Sequence, residues 1–164
     1  VREKKGRLLV YWVRPDGSKE VIPKEALNVH PPMEKGLRGY YYKGLGWEGM
    51  PVFSQIDPVL SFRWHIQPIQ APFSVEWRGK LIIETEGTYR LLIDSNSYSS
   101  LELDGHLLLE KDSGGTKGKS AFLKKGEHSI RLRYKEPGGY SAFRFYWIPP
   151  GGKMELVPTE ALRP

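Results

Sequence analysis

The chain has 164 residues and a formal net charge of +6, and 39% of its residues are hydrophobic. This hydrophobic content excludes an intrinsically disordered chain, and the length is enough for one domain with a substantial core. The absence of cysteine excludes disulfide bonds, thiolate zinc sites and a cysteine nucleophile. No apolar run approaches the roughly 20 residues of a membrane-spanning helix, so we expect no membrane insertion.

The first predicted element is a β-hairpin over residues 7–22, with its turn at the Arg-Pro-Asp-Gly sequence of residues 14–17. Residues 10–27, which contain most of this hairpin, recur at residues 145–162 without a gap and with nine of eighteen positions identical. The offset of 135 residues is about one domain length, which indicates tandem modules.

The repeat predicts the domain organisation. We expect residues 1–30 to be the terminal hairpin of a preceding tandem module, residues 31–35 a linker, and residues 36–164 a complete β domain. The later copy of the hairpin, at residues 143–157, supplies closing strands to that domain, so the first copy cannot occupy the same position. The N-terminal hairpin is therefore expected to dock elsewhere, on the outer surface, on a sheet edge or on a second chain.

The rest of the chain reads as short strands separated by turns rich in glycine and proline. Alternating runs predict strands at 88–94, 101–103, 126–134 and 140–147, and the Asp104-Gly105 turn predicts a hairpin. No segment shows a helical period over ten or more residues, although residues 158–162 and their earlier copy are each suited to one helical turn. The pattern predicts an all-β, antiparallel sandwich or barrel. All five tryptophans are expected in the core, namely Trp12, Trp47, Trp64, Trp77 and Trp147.

A set of anchor residues in fixed order covers residues 36–162. Glycine, proline and aromatic residues dominate these anchors, which include Gly36-Leu-Arg-Gly39-Tyr-Tyr-Tyr42, Ile56-Asp57-Pro58, Phe62-x-Trp64, Phe73-Ser-Val-x-Trp77-x-Gly79, Gly87-Thr-Tyr89, Leu101-x-Leu103-Asp104-Gly105, Leu123-x-x-Gly126-x-His128, Tyr134-x-Glu136-x-Gly138-Gly139 and Trp147-x-Pro149-Pro150-Gly151. In this order they resemble the protective antigen fourteen-kilodalton domain family, named for an anthrax toxin component and found also in yeast adhesins and glycosidase inserts. The resemblance implies a β-barrel-like, lectin-like sandwich without catalytic residues of its own and, in many members, carbohydrate binding.

The resemblance also implies where a ligand would bind. Sugar-binding members hold a calcium ion with two adjacent aspartates, which fall here on Asn96 and Ser97, with Tyr98 in place of a glycine. Calcium takes about six to eight oxygen ligands, and the charged ones carry most of the affinity. An amide and a hydroxyl leave oxygens without charge, and Asp94 is the nearby carboxylate that could compensate in part. We therefore predict no calcium cofactor and assign no metal ligands.

A metal-free sugar site needs an aromatic ring for stacking and a few directional hydrogen bonds. Tyr98 lies in the loop that the family uses for its ligand, Glu136 and Tyr140 are expected in a second loop, and residues 112–119 in a third, glycine-rich one. Loops at one end of a β scaffold are the usual place for recognition. The predicted ligand-binding residues are Asp94, Asn96, Ser97, Tyr98, Glu136 and Tyr140.

The positive charge is concentrated between residues 111 and 135, where eight lysines and arginines outnumber two acidic residues. A basic face attracts phosphate polymers or acidic polysaccharides, but many basic strand faces are simply solvated. No nucleic-acid motif accompanies the charge, so nucleic acid is not expected as a partner.

Catalytic patterns are absent or fail in context. Gly44-Leu-Gly46-Trp-Glu-Gly49 matches a dinucleotide fingerprint by letters, but Pro51 follows where that fingerprint requires a helix. The four histidines show no metal-ligand spacing, and no Gly-x-Ser-x-Gly elbow occurs. We expect no enzyme activity.

We therefore predict a non-catalytic carbohydrate-binding module of a larger secreted or cell-envelope protein, such as an enzyme that builds or cleaves glycans. The expected partners are a glycan or polysaccharide and the neighbouring module of the same chain. The alternative is a structural spacer or protein-interaction module with no glycan ligand, which the missing aspartate pair favours.

Overall fold

The computed structural model describes residues 11–13, 16–21, 34–64 and 66–164. The chain divides into two compact units, Val1–Met33 and Glu34–Pro164. In the first unit, strands β1 (Tyr11–Val13) and β2 (Lys19–Val21) pair in antiparallel fashion. Residues 7–10, 14, 15 and 22 of the predicted hairpin and residues 31–33 of the predicted linker lie outside the described residues. The docking of the hairpin remains a prediction.

The described residues of the second unit form strands of two to eleven residues and one 3-10 turn at Thr159–Ala161. Its strands are β3 (Leu37–Lys43), β4 (Phe53–Asp57), β5 (Ser61–Trp64), β6 (Phe73–Ile83), β7 (Gly87–Ser95), β8 (Ser99–Leu103), β9 (His106–Lys111), β10 (Gly115–Leu123), β11 (Gly126–Glu136), β12 (Ser141–Ile148), β13 (Glu155–Leu156) and β14 (Leu162–Arg163). The helical turn falls within the segment where the sequence predicts one.

Among the described strands of the second unit all pairings are antiparallel, and they form two sheets. The larger sheet has seven strands in the order β4-β3-β6-β11-β8-β9, with β14 also paired to β6. The smaller has five, in the order β10-β7-β12-β13, with β5 also paired to β12. The prediction of an all-β, antiparallel sandwich is confirmed.

The alternation along β11 shows how the sequence builds these layers. Ile130, Leu132 and Tyr134 are buried between the sheets, while Arg131 and Arg133 point to the outer face. Aromatic rings from both sheets meet in the core, where the ring of Trp77 on β6 stacks on that of Phe143 on β12 with 4.6 Å between centroids. Burial of such large side chains is worth about 2–3 kcal/mol each before costs in entropy.

A carboxylate is buried in this core. Asp57 accepts hydrogen bonds from the Tyr41 hydroxyl and the Trp77 indole, both at 2.7 Å. Burial and the neighbouring Asp57 charge raise the pKa of Tyr41 well above its usual range, so the phenol remains a donor. The predicted anchors Asp57 and Trp77 are therefore direct partners inside the sandwich.

Three sequence expectations need correction. Trp47 is not in the core: it is half-buried in the loop after β3, against polar side chains of the outer sheet face. Glu136 is not in a loop, because β11 stays paired with β6 as far as the Glu136–Phe73 pair. Residues 115–119 are not in a loop either, since they open β10 and pair with β7.

Candidate functional site

Five connecting segments approach one another at one end of the sandwich, at residues 44–52, 66–72, 96–98, 112–114 and 137–140. The Gln67 amide donates to the carbonyl of Gly139 at 3.3 Å and to the hydroxyl of Ser141 at 2.9 Å. A β-carbon on Gly114 would lie 3.3 Å from the Asn96 carbonyl oxygen, so these two segments are also in close contact. We call this region the loop end.

A buried cluster of Asn96, Tyr134 and Glu136 lies beneath the loop end. The Asn96 amide donates to Glu136 Oε2 at 3.1 Å, and its oxygen accepts from the Ala142 backbone at 2.8 Å. The single Tyr134 hydroxyl proton is shared between Glu136 Oε2 at 2.5 Å and the Asn96 oxygen at 2.7 Å. Glu136 is fully buried and also accepts from the backbone N–H of Gly138 at 2.8 Å. The cluster therefore ties the segment after β7 to the segment after β11.

Charge and burial fix the proton on the central phenol of this cluster. Burial and the hydrogen bond to the Glu136 carboxylate raise the pKa of Tyr134 well above its usual range. The hydroxyl thus remains a donor at neutral pH. Because the polar atoms of Asn96 and Glu136 point toward each other inside the protein, both residues hold the loop end together.

A buried lysine supports the same segment from β9. Lys111 is 8% exposed, and its ammonium donates to the carbonyl and the hydroxyl of Ser95, both at 2.9 Å. The Ser95 hydroxyl lies 2.9 Å from the Ser97 carbonyl and 2.6 Å from the Ser99 hydroxyl. Burial lowers the pKa of Lys111, and the nearby Asp94 charge opposes that shift. A built-in cation therefore holds the main chain on which Asn96 and Ser97 lie.

Tyr98 lies at the edge of the loop end, over the outer face of the larger sheet. Its hydroxyl donates to Glu110 at 2.5 Å, and its ring contacts that of Trp47 at 5.9 Å between centroids. The Lys135 ammonium lies 4.6 Å from the centre of the Tyr98 ring. Burial and the bond to Glu110 raise the pKa of Tyr98.

The structure brings only some of the predicted site residues together. Asn96 and Glu136 are in direct contact, and Ser97 is half-buried beside them. Asp94 instead accepts from Arg144 at 3.0 Å and Thr116 at 3.2 Å, so its carboxylate is bound within the smaller sheet. Tyr140 is 56% exposed in the segment after β11.

The residues present do not fit a calcium ion. Both polar ends of the Asn96 side chain are already hydrogen-bonded, and Glu136 is the one carboxylate in contact with it. The Lys111 ammonium bonds to the carbonyl of the adjacent Ser95. Among the residues that the structure describes, no three acidic, histidine or cysteine side chains form a group that would hold a metal.

Sequence reasoning missed three residues of this region. The position of Tyr134 beside Glu136 could have been predicted, because residues two positions apart in a strand lie on the same face. Lys111 and Trp47 carried no such signal: a lysine is seldom buried, and the position of Trp47 depends on a loop that no pattern predicts.

The sequence model described as the PA14 domain matches residues 33–161. The chain belongs to the PA14 domain family. This family is the one that the anchor residues resemble, so the resemblance is confirmed.

The chain is similar to parts of anti-sigma factor proteins. The chain is 27% identical over 138 residues to the anti-sigma-I factor RsgI3 of Acetivibrio thermocellus, covering 79% of this chain and 21% of that protein. A solved anti-sigma factor domain-containing protein from Clostridium clariflavum is 25% identical with a TM-score of 0.74, covering 94% of this chain and 59% of that one. The chain thus spans only part of the length of these relatives.

The fold is also that of sugar-binding PA14 domains. A structure described as the PA14 sugar-binding domain from an RTX adhesin has a TM-score of 0.67 at 16% identity, over 79% of this chain and 98% of that one. Within the described part of the chain, no helix is both long and apolar enough to cross a membrane.

Proposed function

We propose that this PA14 domain is a non-catalytic carbohydrate-binding module of a larger protein and that it acts outside the cytoplasm. Its ligand would bind at the loop end, above the Asn96–Tyr134–Glu136 cluster. The RTX adhesin domain, described as sugar-binding, supports a glycan as the ligand class. The anti-sigma factor relatives support a regulatory parent protein rather than one that builds or cleaves glycans.

The observation that carries this proposal is that some polar residues at the loop end are hydrogen-bonded within the protein while neighbouring ones are exposed to solvent. The polar atoms of Asn96 and Glu136 are hydrogen-bonded within the protein, where they join the segment after β7 to the segment after β11. The neighbouring Tyr140 ring is 56% exposed and Ser97 is half-exposed, so both remain open to a ligand. A rigid base with an exposed ring and hydroxyl beside it suits sugar stacking and hydrogen bonding.

A second candidate is a structural spacer or protein-interaction module. Its support is the same hydrogen-bond cluster, because a loop end tied together without a metal serves equally well to stiffen a module. The two candidates differ in one measurable property, which is binding to glycans.

A glycan array with the purified chain tests the proposal, with calcium and with a chelator. We expect selective binding that the chelator does not change, because Lys111 and the Asn96 cluster hold the loop end without metal. Tyr140→Ala should weaken that binding about tenfold, which corresponds to the 1–1.5 kcal/mol of one stacking contact.

Phe122→Ala is the matched control. Phe122 is an aromatic residue on β10 that is 64% exposed, and its pairing with Thr88 places it away from the loop end. The control should bind like the wild type. A folded protein that binds no glycan under either condition would leave the spacer as the function.

A further inference from the structure

Arginines lie in direct cross-strand register on the outer face of the larger sheet. Arg38 on β3 is opposite Arg78 on β6, and Arg78 is opposite Arg131 on β11. Paired positions of this kind have Cβ atoms about 5 Å apart, and like charges there destabilise a sheet. A row of like charges therefore needs carboxylates beside it to offset the repulsion.

A buried carboxylate orients the guanidinium groups from below. Glu76 is fully buried, and it accepts from Nε of Arg78 at 2.5 Å and from Nε of Arg133 at 2.6 Å. Arg131 Nη1 lies 4.0 Å from the same carboxylate. Arg133 bonds to Glu76 through Nε alone. The two Nη groups of Arg133 make no hydrogen bond to a described residue and remain available to a ligand.

Aromatic rings hold the adjacent cations in place. The Arg133 guanidinium carbon lies 4.7 Å from the centre of the Trp47 ring. The Lys135 ammonium lies 4.9 Å from that ring and 4.6 Å from the Tyr98 ring. Cation–π contacts of this kind restrict the side chains before any ligand arrives, which lowers the entropic cost of binding.

We call these five cations, Arg38, Arg78, Arg131, Arg133 and Lys135, the arginine face. Three glutamates lie beside these five cations. Glu76 is buried beneath the centre of the row, Glu34 lies 3.5 Å from Arg38, and Glu102 accepts from Arg131. Exposed pairs such as Arg38–Glu34 contribute little and are easily exchanged for another anion.

An open cleft adjoins the row. It has a volume of about 470 Å³ and is lined by Arg78, Arg131, Glu102 and Ser129. This volume falls within the range of about 300–1,000 Å³ that is common for small-ligand sites. Because Arg131 Nη2 is bonded to Glu102 and the Ser129 hydroxyl donates to Asp104, the cleft offers one ligand unit the remaining N–H groups of Arg78 and Arg131.

We propose that the arginine face binds the carboxylates of an acidic polysaccharide, a polymer of uronic acid units. A planar guanidinium binds a planar carboxylate through two parallel hydrogen bonds. The face extends about 10 Å across three strands and about 13 Å along β11, which suits a polymer better than one sugar. This inference rests on the proposed carbohydrate binding and names its substrate class.

The test compares alginate, a polyuronate, with the same alginate after esterification of its carboxyls, by calorimetry on the whole chain in calcium-free buffer. We expect alginate to bind, the ester to bind at least tenfold more weakly, and added salt to weaken the alginate affinity. Arg133→Lys keeps the charge but removes the fork, so the affinity should fall several-fold. Arg38→Gln, which loses only a surface ion pair, should also weaken binding.

Arg90→Gln is the matched control, because Arg90 lies exposed on β7 in the smaller sheet. It should bind alginate like the wild type. Equal binding of the ester, or an equal loss in Arg90→Gln, would overturn the inference, as would double-stranded DNA competing as well as alginate. Neutral glycans binding without alginate would overturn it but leave the proposed function intact, and no binding to any glycan would remove both.

Discussion

Asn96 accounts for much of the difference between this loop end and a metal-dependent one. One amide group here donates to Glu136 and accepts from both Tyr134 and Ala142. An aspartate at this position has no donor for the Glu136 carboxylate, and two like charges about 3 Å apart repel each other. The neutral amide therefore allows the two segments to join without a cation between them.

Adding charges should create the metal dependence that this chain lacks. We expect Asn96→Asp combined with Ser97→Asp to lower the melting temperature in a chelator, because a carboxylate then lies against Glu136 and a second one is adjacent to it in the chain. Calcium should restore stability by about 2.7 kcal/mol at a concentration 100 times its dissociation constant. The wild type should melt at the same temperature with calcium and with chelator. A calcium-dependent shift in the wild type would contradict this account.

The Tyr134 hydroxyl should be worth more than an ordinary buried hydroxyl. Its partners include a carboxylate, and hydrogen bonds to charged groups contribute about 1.5–3 kcal/mol against about 1 kcal/mol for neutral ones. Tyr134→Phe should therefore cost more in urea unfolding than Tyr89→Phe, since the Tyr89 hydroxyl donates to the neutral Thr85 carbonyl at 2.8 Å. An equal or smaller loss for Tyr134→Phe would mean that the cluster does not hold the loop end.

At the scale of elements, one ion pair joins the β8–β9 turn to β11. His128 Nδ1 lies 2.7 Å from the Asp104 carboxylate, and Nε2 lies 2.8 Å from the Lys124 carbonyl. Both partners only accept, so both ring nitrogens donate when the imidazole is charged. Burial alone would lower the pKa of His128, but its bonds to Asp104 and Lys124 raise it overall.

This geometry makes the stability depend on pH. A raised His128 pKa stabilises the fold below the ordinary value of 6.5, and this contribution is lost as the pH rises through the raised value. Burial favours a higher Asp104 pKa, but bonds from His128 and Ser129 lower it, so that contribution is present above 3.8 and lost on further acidification. Asp104 is half-exposed, which limits the pair to less than about 1 kcal/mol.

We expect wild type and His128→Gln to differ more in melting temperature at about pH 5.5 than at about pH 8.5. The difference between the two proteins removes the titration of all groups that they share. A gap that stays constant or widens with pH would show that His128 is not charged in the folded state.

Elements with strong local patterns were predictable from sequence, and their tertiary partners were not. The alternation in β11 and the Asp104-Gly105 turn between β8 and β9 follow from side-chain periodicity and turn chemistry. The contact of Asn96 with Glu136 joins residues 40 positions apart, and the buried Lys111 depends on β8–β9 pairing. Such contacts arise from sheet order, which a single sequence does not encode locally.

At the scale of the whole molecule, the two ends of the second unit meet. The Gly36 amide donates to the Leu162 carbonyl at 3.1 Å, and β14 pairs with β6. The N-terminal and C-terminal ends of the segment 36–164 thus lie next to each other at the larger sheet. The tandem organisation of the chain remains a prediction from the repeat.

Removal of residues 1–30 tests that organisation. The shortened chain should fold cooperatively, with a melting temperature within a few degrees of the full chain, because its closing strands are its own. Circular dichroism on heating provides the measurement. Loss of folding would show that the hairpin belongs to the core of this module and that the tandem interpretation is wrong.

Carbohydrate binding at the loop end is tested most directly by titrating the isotope-labelled chain with the strongest glycan from the array and following its backbone amides by NMR. If a glycan binds at the loop end, we expect saturable shifts centred on residues 96–98, 112–114 and 137–140 that a chelator does not change. An acidic glycan should add shifts on the arginine face. Shifts confined to the opposite end of the sandwich, or no shifts at saturating glycan, would contradict it.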